Sequence, residues 1–440
     1  MKVNDIRHVF VIGAGTMGRR IALRCASSGY DVTVYDASPE ALKKAPELMR
    51  NEATEALENK WLTAIQSQDA FAHLRFTSNP QDAATADLIS ESILEDPDVK
   101  AKVFAQFAEI CPPHTVFTTD TSTLAPSLYS SATGRPDRFA AFHFNGVWPG
   151  YAPLVDVMPV SGTSQETIEL LRAFASSVGQ IPMVLKRETP GYIANNIVGN
   201  VYVTAYRLVL QRDVPFEDVD RAAMGILGMK MGPFGALDFD ALDFIMHQMQ
   251  NAPEGDVTSK IAANWLKREY IDKGRLGRKS GRGFYSYPNP AFERPDFLNF
   301  DKPSLQGVAD ELKAAIDYVA LRLVVNGAAS FDEVDRAVMV LYCMPIGCFG
   351  LFDREGLDVV WRNLQSYAET SDDPEDQTIA DWLKKDYLDK GLLGEKSGRG
   401  FYAYPNPAFQ RPDFLTGGET QTRAVKQSGA QEPKRDKAIV

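Results

Sequence analysis

The chain has 440 residues, of which 44% are hydrophobic and 24% charged, a composition typical of a globular protein with about two to four domains. Its formal net charge is −11 and it contains no Lys/Arg-rich block, which argues against nucleic acid and anionic membranes as partners. The four cysteines form no CxxC pair and no disulfide framework, and no His/Asp cluster accompanies them, so we predict no metal.

The N-terminus runs directly into a strand pattern, without a long apolar segment followed by a cleavage site. No apolar stretch approaches the roughly 20 residues of a membrane span. From these observations we expect a cytoplasmic protein that does not bind a membrane.

The segment "HVFVIGAGTMGRRIALRCASSGYDVTVYD" predicts a strand, a glycine turn, a helix and a second strand. Gly13, Gly15 and Gly18 form a G-x-G-x-x-G pattern between strand and helix, and Asp36 ends the second strand. Such glycines permit a tight turn and close approach of the backbone to a pyrophosphate, which the helix N-terminus attracts. The Asp36 carboxylate suits ribose hydroxyls and repels a 2′-phosphate, so the segment predicts an NAD site and not an NADP site.

The alternation of strands and helices continues after this segment. We predict a helical hairpin within 39–67, strands at 74–77, 86–93 and 115–119, and a helix at 99–108. Because ligands bind at the carboxyl ends of parallel strands, we expect Glu91, Asp120 and Ser122 to lie on the cofactor side of the sheet.

Two strand-like runs in "FAAFHFNGVWPGYAPLVDVMP" flank a turn rich in proline and glycine. The first run carries His143 and the second carries Asp156. A single histidine on an apolar strand is more often a hydrogen-bonded core residue than a catalyst, so this stretch alone leaves both interpretations open.

The second half of the chain is mostly helical and contains one unit twice. "GRKSGRGFYSYPNPAFERPDFL" recurs as "GEKSGRGFYAYPNPAFQRPDFL", so that Lys279 aligns with Lys396, and upstream Gly232 aligns with Gly347. Only the first copy begins with "ETPGYIANN"; aspartate at position 310 stands opposite Asn195. We infer that the first copy lines the active site and that the second buries or braces it. Since "KSGRGFY" occurs in both copies, we expect it to close each helical unit.

The predicted fold is an α/β Rossmann-type NAD domain followed by two mostly α-helical repeat domains. The NAD domain covers residues 1–187, the first helical copy 188–300, and the degenerate second copy 301–415. Residues 416–440 lack apolar periodicity, and we expect a disordered tail.

Several pieces together resemble the L-3-hydroxyacyl-CoA dehydrogenase family over roughly residues 6–415. They are "VIGAGTMG", "ADLISESILEDPDVKAKVF", "DTSTL", "RFAAFHF", "LVDVMP", "TPGYIANN", "MGPFGALD" and "KSGRGFY". The resemblance implies a catalytic His143 oriented by Asp156, with Ser122 and Asn195 completing the site. It also implies NAD contacts from Glu91, Lys100 and Ser122, besides the glycines, Thr16 and Met17 of the first turn.

The implied reaction is the reversible NAD-dependent oxidation of an L-3-hydroxyacyl-CoA to the 3-ketoacyl-CoA, as in fatty acid β-oxidation. A histidine suits the proton transfer because its ordinary pKa lies nearest neutrality, and a carboxylate on its second nitrogen fixes the tautomer. The implied partner is an acyl-CoA, and the chain is expected to be a monomer or homodimer. As a hypothesis, the second helical copy imitates the helical-domain contact through which single-copy relatives dimerise.

Three features depart from the family pattern. Asp156 replaces a glutamate, Asp120 replaces an asparagine, and Lys60 is the only lysine near the part of the hairpin where relatives meet CoA phosphates. The alternatives are a dehydrogenase of a non-CoA hydroxy acid of the sugar acid or carnitine type, and a non-catalytic NAD-binding protein resembling crystallins. A lysine-dependent β-hydroxyacid dehydrogenase is disfavoured, because "GYIANN" has no lysine just before Asn195.

Overall fold

The computed structural model describes residues 1–148, 153–250 and 256–417. They form two compact units, Met1–Pro182 and Met183–Gly418. All but the first two residues of the predicted disordered tail lie outside the described residues, as do residues 149–152 between His143 and Asp156. The domain boundaries predicted within the helical region therefore stay predictions.

One eight-stranded sheet organises the first unit, with the order β3-β2-β1-β4-β5-β6-β7-β8. The strands are β1 (His8–Ile12), β2 (Asp31–Tyr35), β3 (Leu74–Thr77), β4 (Leu88–Glu91), β5 (Val116–Thr119), β6 (Phe139–Phe144), β7 (Leu154–Pro159) and β8 (Ile181–Val184). The pairs from β3 to β6 are parallel, whereas β6 and β7 are antiparallel. The parallel strands consequently end at the same edge, where sequence reasoning expects a ligand.

Five helices accompany these strands in the first unit: α1 (Thr16–Ser27), α2 (Pro39–Glu58), α3 (Ala64–Ala72), α4 (Pro97–Ile110) and α5 (Gln165–Ser177). The predicted helical hairpin is present as α2 and α3. Lys60 has a left-handed φ of 60° just after α2, and Thr63 caps α3 by accepting a hydrogen bond from the N–H of Gln66. The left-handed Lys60 and the capping Thr63 thus account for the break between α2 and α3.

The core on one side of the sheet is rich in aromatic rings. Phe104 and Phe107 on α4 are fully buried, and Phe104 packs edge-on against Phe117 of β5 and Phe139 of β6. This packing fixes α4 against the strands, and so fixes the acidic and basic residues at the start of that helix.

The second unit is built from ten helices among its described residues. They are α6 (Ala194–Arg212), α7 (Phe216–Gly225), α8 (Pro233–Asp240), α9 (Leu242–Gln250), α10 (Val257–Glu269), α11 (Lys302–Val325), α12 (Phe331–Tyr342), α13 (Cys348–Glu355), α14 (Leu357–Ala368) and α15 (Pro374–Asp386). The sequence repeat appears as a repeat of this helix order, from α6–α10 to α11–α15. The predicted fold class, a Rossmann-type α/β domain followed by a mostly helical region, is confirmed.

Two buried aspartates hold the first helical copy together. Asp220 accepts hydrogen bonds of 2.9 Å from the N–H groups of Phe234 and Gly235, at the start of α8, and from the Tyr285 hydroxyl. Asp238 accepts 2.8 Å from the Tyr285 N–H. A carboxylate that receives several donors can remain buried, and here it ties the "KSGRGFY" segment to two helices.

The second copy contains the same arrangement. Asp335 accepts hydrogen bonds from the N–H groups of Phe349 and Gly350, at 2.8 and 3.0 Å, and from the Tyr402 hydroxyl at 2.9 Å. Asp353 accepts 2.8 Å from the Tyr402 N–H. Each repeated segment therefore bonds to the acids of its own copy, which supports the expected structural role of "KSGRGFY".

Candidate active site

The glycine turn after β1 is shaped by two close backbone contacts. Gly13 has a φ of +110°, and a Cβ added there would lie 2.4 Å from the Ser92 carbonyl oxygen. A Cβ on Gly18 would lie 1.9 Å from the Gly13 carbonyl oxygen, whereas one on Gly15 would meet nothing within 4 Å. Packing therefore requires glycine at two of the three positions, and the third faces open space.

The open position lies at the N-terminus of a helix. Gly15 is the N-cap of α1 and has no side chain with which to bond the amides of Thr16 and Met17. Nearby, Asp36 accepts 2.8 Å hydrogen bonds from the N–H groups of Ala14 and Ser38, which fix its carboxylate at the end of β2. Exposed amides beside an unobstructed backbone and a fixed acid fit a pyrophosphate and a ribose.

The acid at the end of β4 forms a buried ion pair. The Lys100 ammonium donates a hydrogen bond of 2.5 Å to Oε1 of Glu91, and the Thr119 hydroxyl donates one of 2.6 Å to Oε2. The Glu91 and Lys100 side chains are 0% and 1% exposed. The two side chains are buried against each other, and their predicted contact with NAD stays a prediction.

A second acid connects this ion pair to the loop after β5. Glu95 accepts hydrogen bonds of 2.7 Å from the Thr121 hydroxyl and 3.0 Å from the Ser122 N–H. It also forms an ion pair of 3.6 Å with the Lys100 ammonium. Its side chain is 37% exposed. The predicted site residue Ser122 is thus held by its backbone, and its side chain is half-buried.

His143 and Asp156 stand directly opposite each other in the antiparallel pair of β6 and β7. The distance from His143 Nδ1 to Asp156 Oδ2 is 3.4 Å, and the same Oδ2 accepts 2.7 Å from the Asn145 amide. Opposed residues bring their side chains within about 5 Å, so the strand register creates this pairing. The longer distance to the imidazole agrees with an acid one methylene shorter than the family glutamate.

A further carboxyl group, Asp120, lies at the end of β5. Its Oδ1 accepts 2.9 Å from the N–H of Phe144, the residue after His143. Burial raises the pKa of Asp120 to about 7, although the charge of His143 and the bond from Phe144 oppose that shift. At neutral pH this carboxyl group is therefore partly protonated.

The acids around His143 raise its pKa by more than burial lowers it. Burial lowers the pKa of His143, but the hydrogen bond with Asp156 and the charges of Asp120, Asp156 and Glu95 raise it above the ordinary value. His143 is 6% exposed, so its imidazole is largely shielded from bulk water.

The first unit thus brings together Gly13, Gly15, Gly18 and Asp36 at one end of the strands, and His143 with Asp156 at the end of β6. Asn195 belongs to the second unit, in the first turn of α6, and its participation stays a prediction. Sequence reasoning missed Asn145 and Glu95. Asn145 could have been found as the residue two after His143 on the same strand face.

No group of three potential metal ligands occurs in the described part of the chain, and none of its helices is long and apolar enough to cross a membrane.

Comparison with known proteins identifies both halves of the chain. Residues 8–189 match the family model of the 3-hydroxyacyl-CoA dehydrogenase NAD binding domain. The C-terminal domain model of the same family matches twice, at residues 191–287 and 309–404.

Curated relatives match about two thirds of this chain and nearly the whole of their own length. The pig mitochondrial hydroxyacyl-coenzyme A dehydrogenase is 32% identical over 289 residues, which is 64% of this chain and 91% of that protein. A probable 3-hydroxybutyryl-CoA dehydrogenase from Bacillus subtilis is 30% identical, over 64% of this chain and 98% of that protein.

Solved structures include relatives of both lengths. A diketoreductase is 31% identical with a TM-score of 0.60, over 64% of this chain and 99% of that one. The 3-hydroxybutyryl-CoA dehydrogenase of Escherichia coli shares the fold over 88% of this chain and 99% of its own, with a TM-score of 0.70 and 24% identity. The resemblance seen in the sequence is confirmed: the chain belongs to the NAD-dependent 3-hydroxyacyl-CoA dehydrogenase family.

Proposed function

We propose that this chain interconverts an L-3-hydroxyacyl-CoA and the 3-ketoacyl-CoA, with NAD as the redox partner. The observation that carries the proposal is the opposition of His143 and Asp156 at the end of β6, in the sheet whose first turn carries the dinucleotide glycines. The matching family models and the names of the relatives support the substrate class.

The pair can hold and move one proton. Because a carboxylate only accepts, the Nδ1 of His143 that faces Asp156 carries the hydrogen, which leaves Nε2 as the acceptor for the substrate hydroxyl proton. Once His143 has taken that proton, the carboxylate of Asp156 stabilises the imidazolium. When bound, NAD supplies the acceptor for the hydride that leaves the hydroxyl carbon.

Other groups of the first unit have supporting roles in this proposal. Ser122 donates a hydrogen bond to the reacting oxygen, and Asp36 and the amides of Thr16 and Met17 bind NAD. Glu91 and Lys100 position Glu95, the exposed acid of their network, beside the same loop. We propose that Asn195 of the first helical copy completes the site.

We propose that the boundaries at 187, 300 and 415 separate three domains, and that the second helical copy braces the first. Within the second unit α11 packs against α6 and α7, and the Lys230 N–H donates 3.1 Å to the Tyr342 carbonyl oxygen. Sedimentation should give a monomer. A dimer joined through the helical unit would show that the second copy does not replace a partner.

A second candidate is the interconversion of a hydroxy ketone or hydroxy acid without CoA. Lys60 is the only lysine near the turn of the hairpin, and this observation and the similarity to a diketoreductase favour the second candidate. The two candidates predict different results with the same protein, because only one requires the CoA part of the substrate.

The test is NADH absorbance with purified protein, using acetoacetyl-CoA and, separately, a free dicarbonyl compound. We expect turnover with acetoacetyl-CoA, and a loss of about 10²- to 10⁴-fold in His143→Ala with unchanged NADH binding. Turnover with the free dicarbonyl alone would support the second candidate. Equal turnover in wild type and His143→Ala would overturn the role of His143.

A further inference from the structure

One oxygen of Asp156 is shared between two donors of unequal distance. Its Oδ2 lies 2.7 Å from the amide Nδ2 of Asn145 and 3.4 Å from Nδ1 of His143. The first distance is that of a strong hydrogen bond to a charged acceptor, whereas the second is beyond the usual range. The amide therefore fixes the carboxylate more tightly than the imidazole does.

The strand register explains how these three side chains meet. His143 pairs with Asp156, and the ladder continues when the Asn145 N–H donates 2.9 Å to the Leu154 carbonyl oxygen. Residues two apart on a strand share one face, so Asn145 is the diagonal neighbour of Asp156. Phe142 faces the other side, where its ring packs against Phe174 of α5.

We propose that Asn145 is a positioning residue for the reaction proposed above, which holds the Asp156 carboxylate so that it can orient His143. Asp156 is fully buried, and a buried carboxylate is stable only with donors around it. The Oδ2 of this aspartate stays 3.4 Å from the imidazole, and the neutral amide supplies a closer, fixed contact without adding a competing charge.

The Asn145 amide contacts one of the three acids whose charges act on His143. His143 senses Asp120 at the end of β5 and Glu95 before α4, in addition to Asp156 on β7. Loss of the Asn145 contact removes the 2.7 Å hydrogen bond to Asp156 Oδ2, which weakens the hold of this carboxylate on the imidazolium while the other two acids remain.

The experiment compares wild type, Asn145→Ala and the double variant Asn145→Ala/Asp156→Glu in acetoacetyl-CoA reduction. We expect Asn145→Ala to lower kcat by about 10- to 100-fold, with KM and NADH affinity within about twofold, because such supporting contacts act through the group they orient. The longer glutamate reaches the imidazole without the amide, so the double variant should regain part of kcat. Asn51→Ala, an exposed amide on α2, is the control.

A second measurement remains informative if acetoacetyl-CoA is not a substrate. The chain has five histidines, so the His143 resonance can be assigned by its loss in His143→Ala and titrated by NMR. Asn145→Ala should shift the His143 titration to lower pH. An unchanged titration, or a kcat within twofold of wild type, would overturn the role of Asn145 and leave the proposed reaction intact.

Discussion

The ammonium of Lys100 and the carboxylate of Glu91 form a 2.5 Å ion pair in which both side chains are almost fully buried. The pair joins α4 to the end of β4, directly below the loop that carries Ser122. Removing one member of a buried ion pair leaves an uncompensated charge, which costs more than the pair contributes.

We therefore expect Lys100→Met to reduce the free energy of unfolding by about 3–5 kcal/mol. Urea denaturation followed by circular dichroism measures this loss, with Lys102→Met, an exposed lysine of the same helix, as the control. The double variant Lys100→Met/Glu91→Met should recover part of the loss. Equal stability of Lys100→Met and the control would contradict the ion pair as described.

Asp120 should set the pH at which oxidation fails. Oxidation needs unprotonated His143, so the rate falls as the pH drops through the pKa of that group. The charge of Asp120 raises the pKa of His143, and Asp120→Asn removes this charge. We expect the acid limb of kcat/KM for 3-hydroxybutyryl-CoA oxidation to move to lower pH. The control is Asp98→Asn at an exposed site, and a limb that stays or moves upward would contradict the coupling.

The same carboxyl group should make stability depend on pH. Because the pKa of folded Asp120 is raised to about 7, the folded state binds the proton more tightly than the unfolded state. Stability then declines as the pH rises from about 4 to about 7. Asp120→Asn lacks this term, so the difference in melting temperature, variant minus wild type, should increase over that interval. A constant difference across it would argue against a raised pKa.

Substitution of Gly18 should lower the stability of the fold, whereas substitution of Gly15 should lower the affinity for NADH. Gly18→Ala places a methyl group 1.9 Å from a carbonyl oxygen, and we expect a loss of at least about 2 kcal/mol in stability. Gly15→Ala meets nothing within 4 Å, so it should fold normally but bind NADH more weakly, because the methyl group occupies the approach to the helix amides. Thermal unfolding and fluorescence titration with NADH measure the two effects. Normal NADH affinity in Gly15→Ala would place the pyrophosphate elsewhere.

Asp36 should determine the choice between NAD and NADP. Asp36→Asn removes the charge that repels a 2′-phosphate, and the loss of one charged hydrogen bond to ribose corresponds to about 10- to 100-fold in affinity. We expect the NADPH-to-NADH ratio of kcat/KM to rise by that factor. Asp31→Asn, at the exposed start of the same strand, should leave the ratio unchanged. No change in Asp36→Asn would remove Asp36 from the ribose site.

Much of the first unit could be predicted because its signals are local. The glycine pattern predicted β1, α1 and β2, and the strand at 74–77 has the bounds that were predicted. The position of Glu91 at the end of β4 was also predictable, since a strand ends where its apolar run ends. Its burial was not, because it depends on Lys100, nine residues further on, folding back over the strand with α4.

The details of the pair on β6 and β7 could not be obtained from sequence alone. The residues that flank the turn indicated that His143 and Asp156 approach each other, but the directly opposed register depends on the path of the turn. The shared Oδ2 and the unequal distances depend on the rotamers of three side chains, which the sequence pattern does not specify. The spacing of two residues places Asn145 on the same face as His143, but it does not say which oxygen of Asp156 the amide contacts.

Each copy of the helical unit contains the same pair of buried aspartates. Both copies keep the aspartate and tyrosine that close the fold, while aspartate at 310 stands where the first copy has Asn195. The second copy therefore serves as an internal comparison for the first, since both fold with the same buried hydrogen bonds. A hydrogen bond that both copies make, such as that of Tyr285 with Asp220 and of Tyr402 with Asp335, is one that this helical fold uses twice.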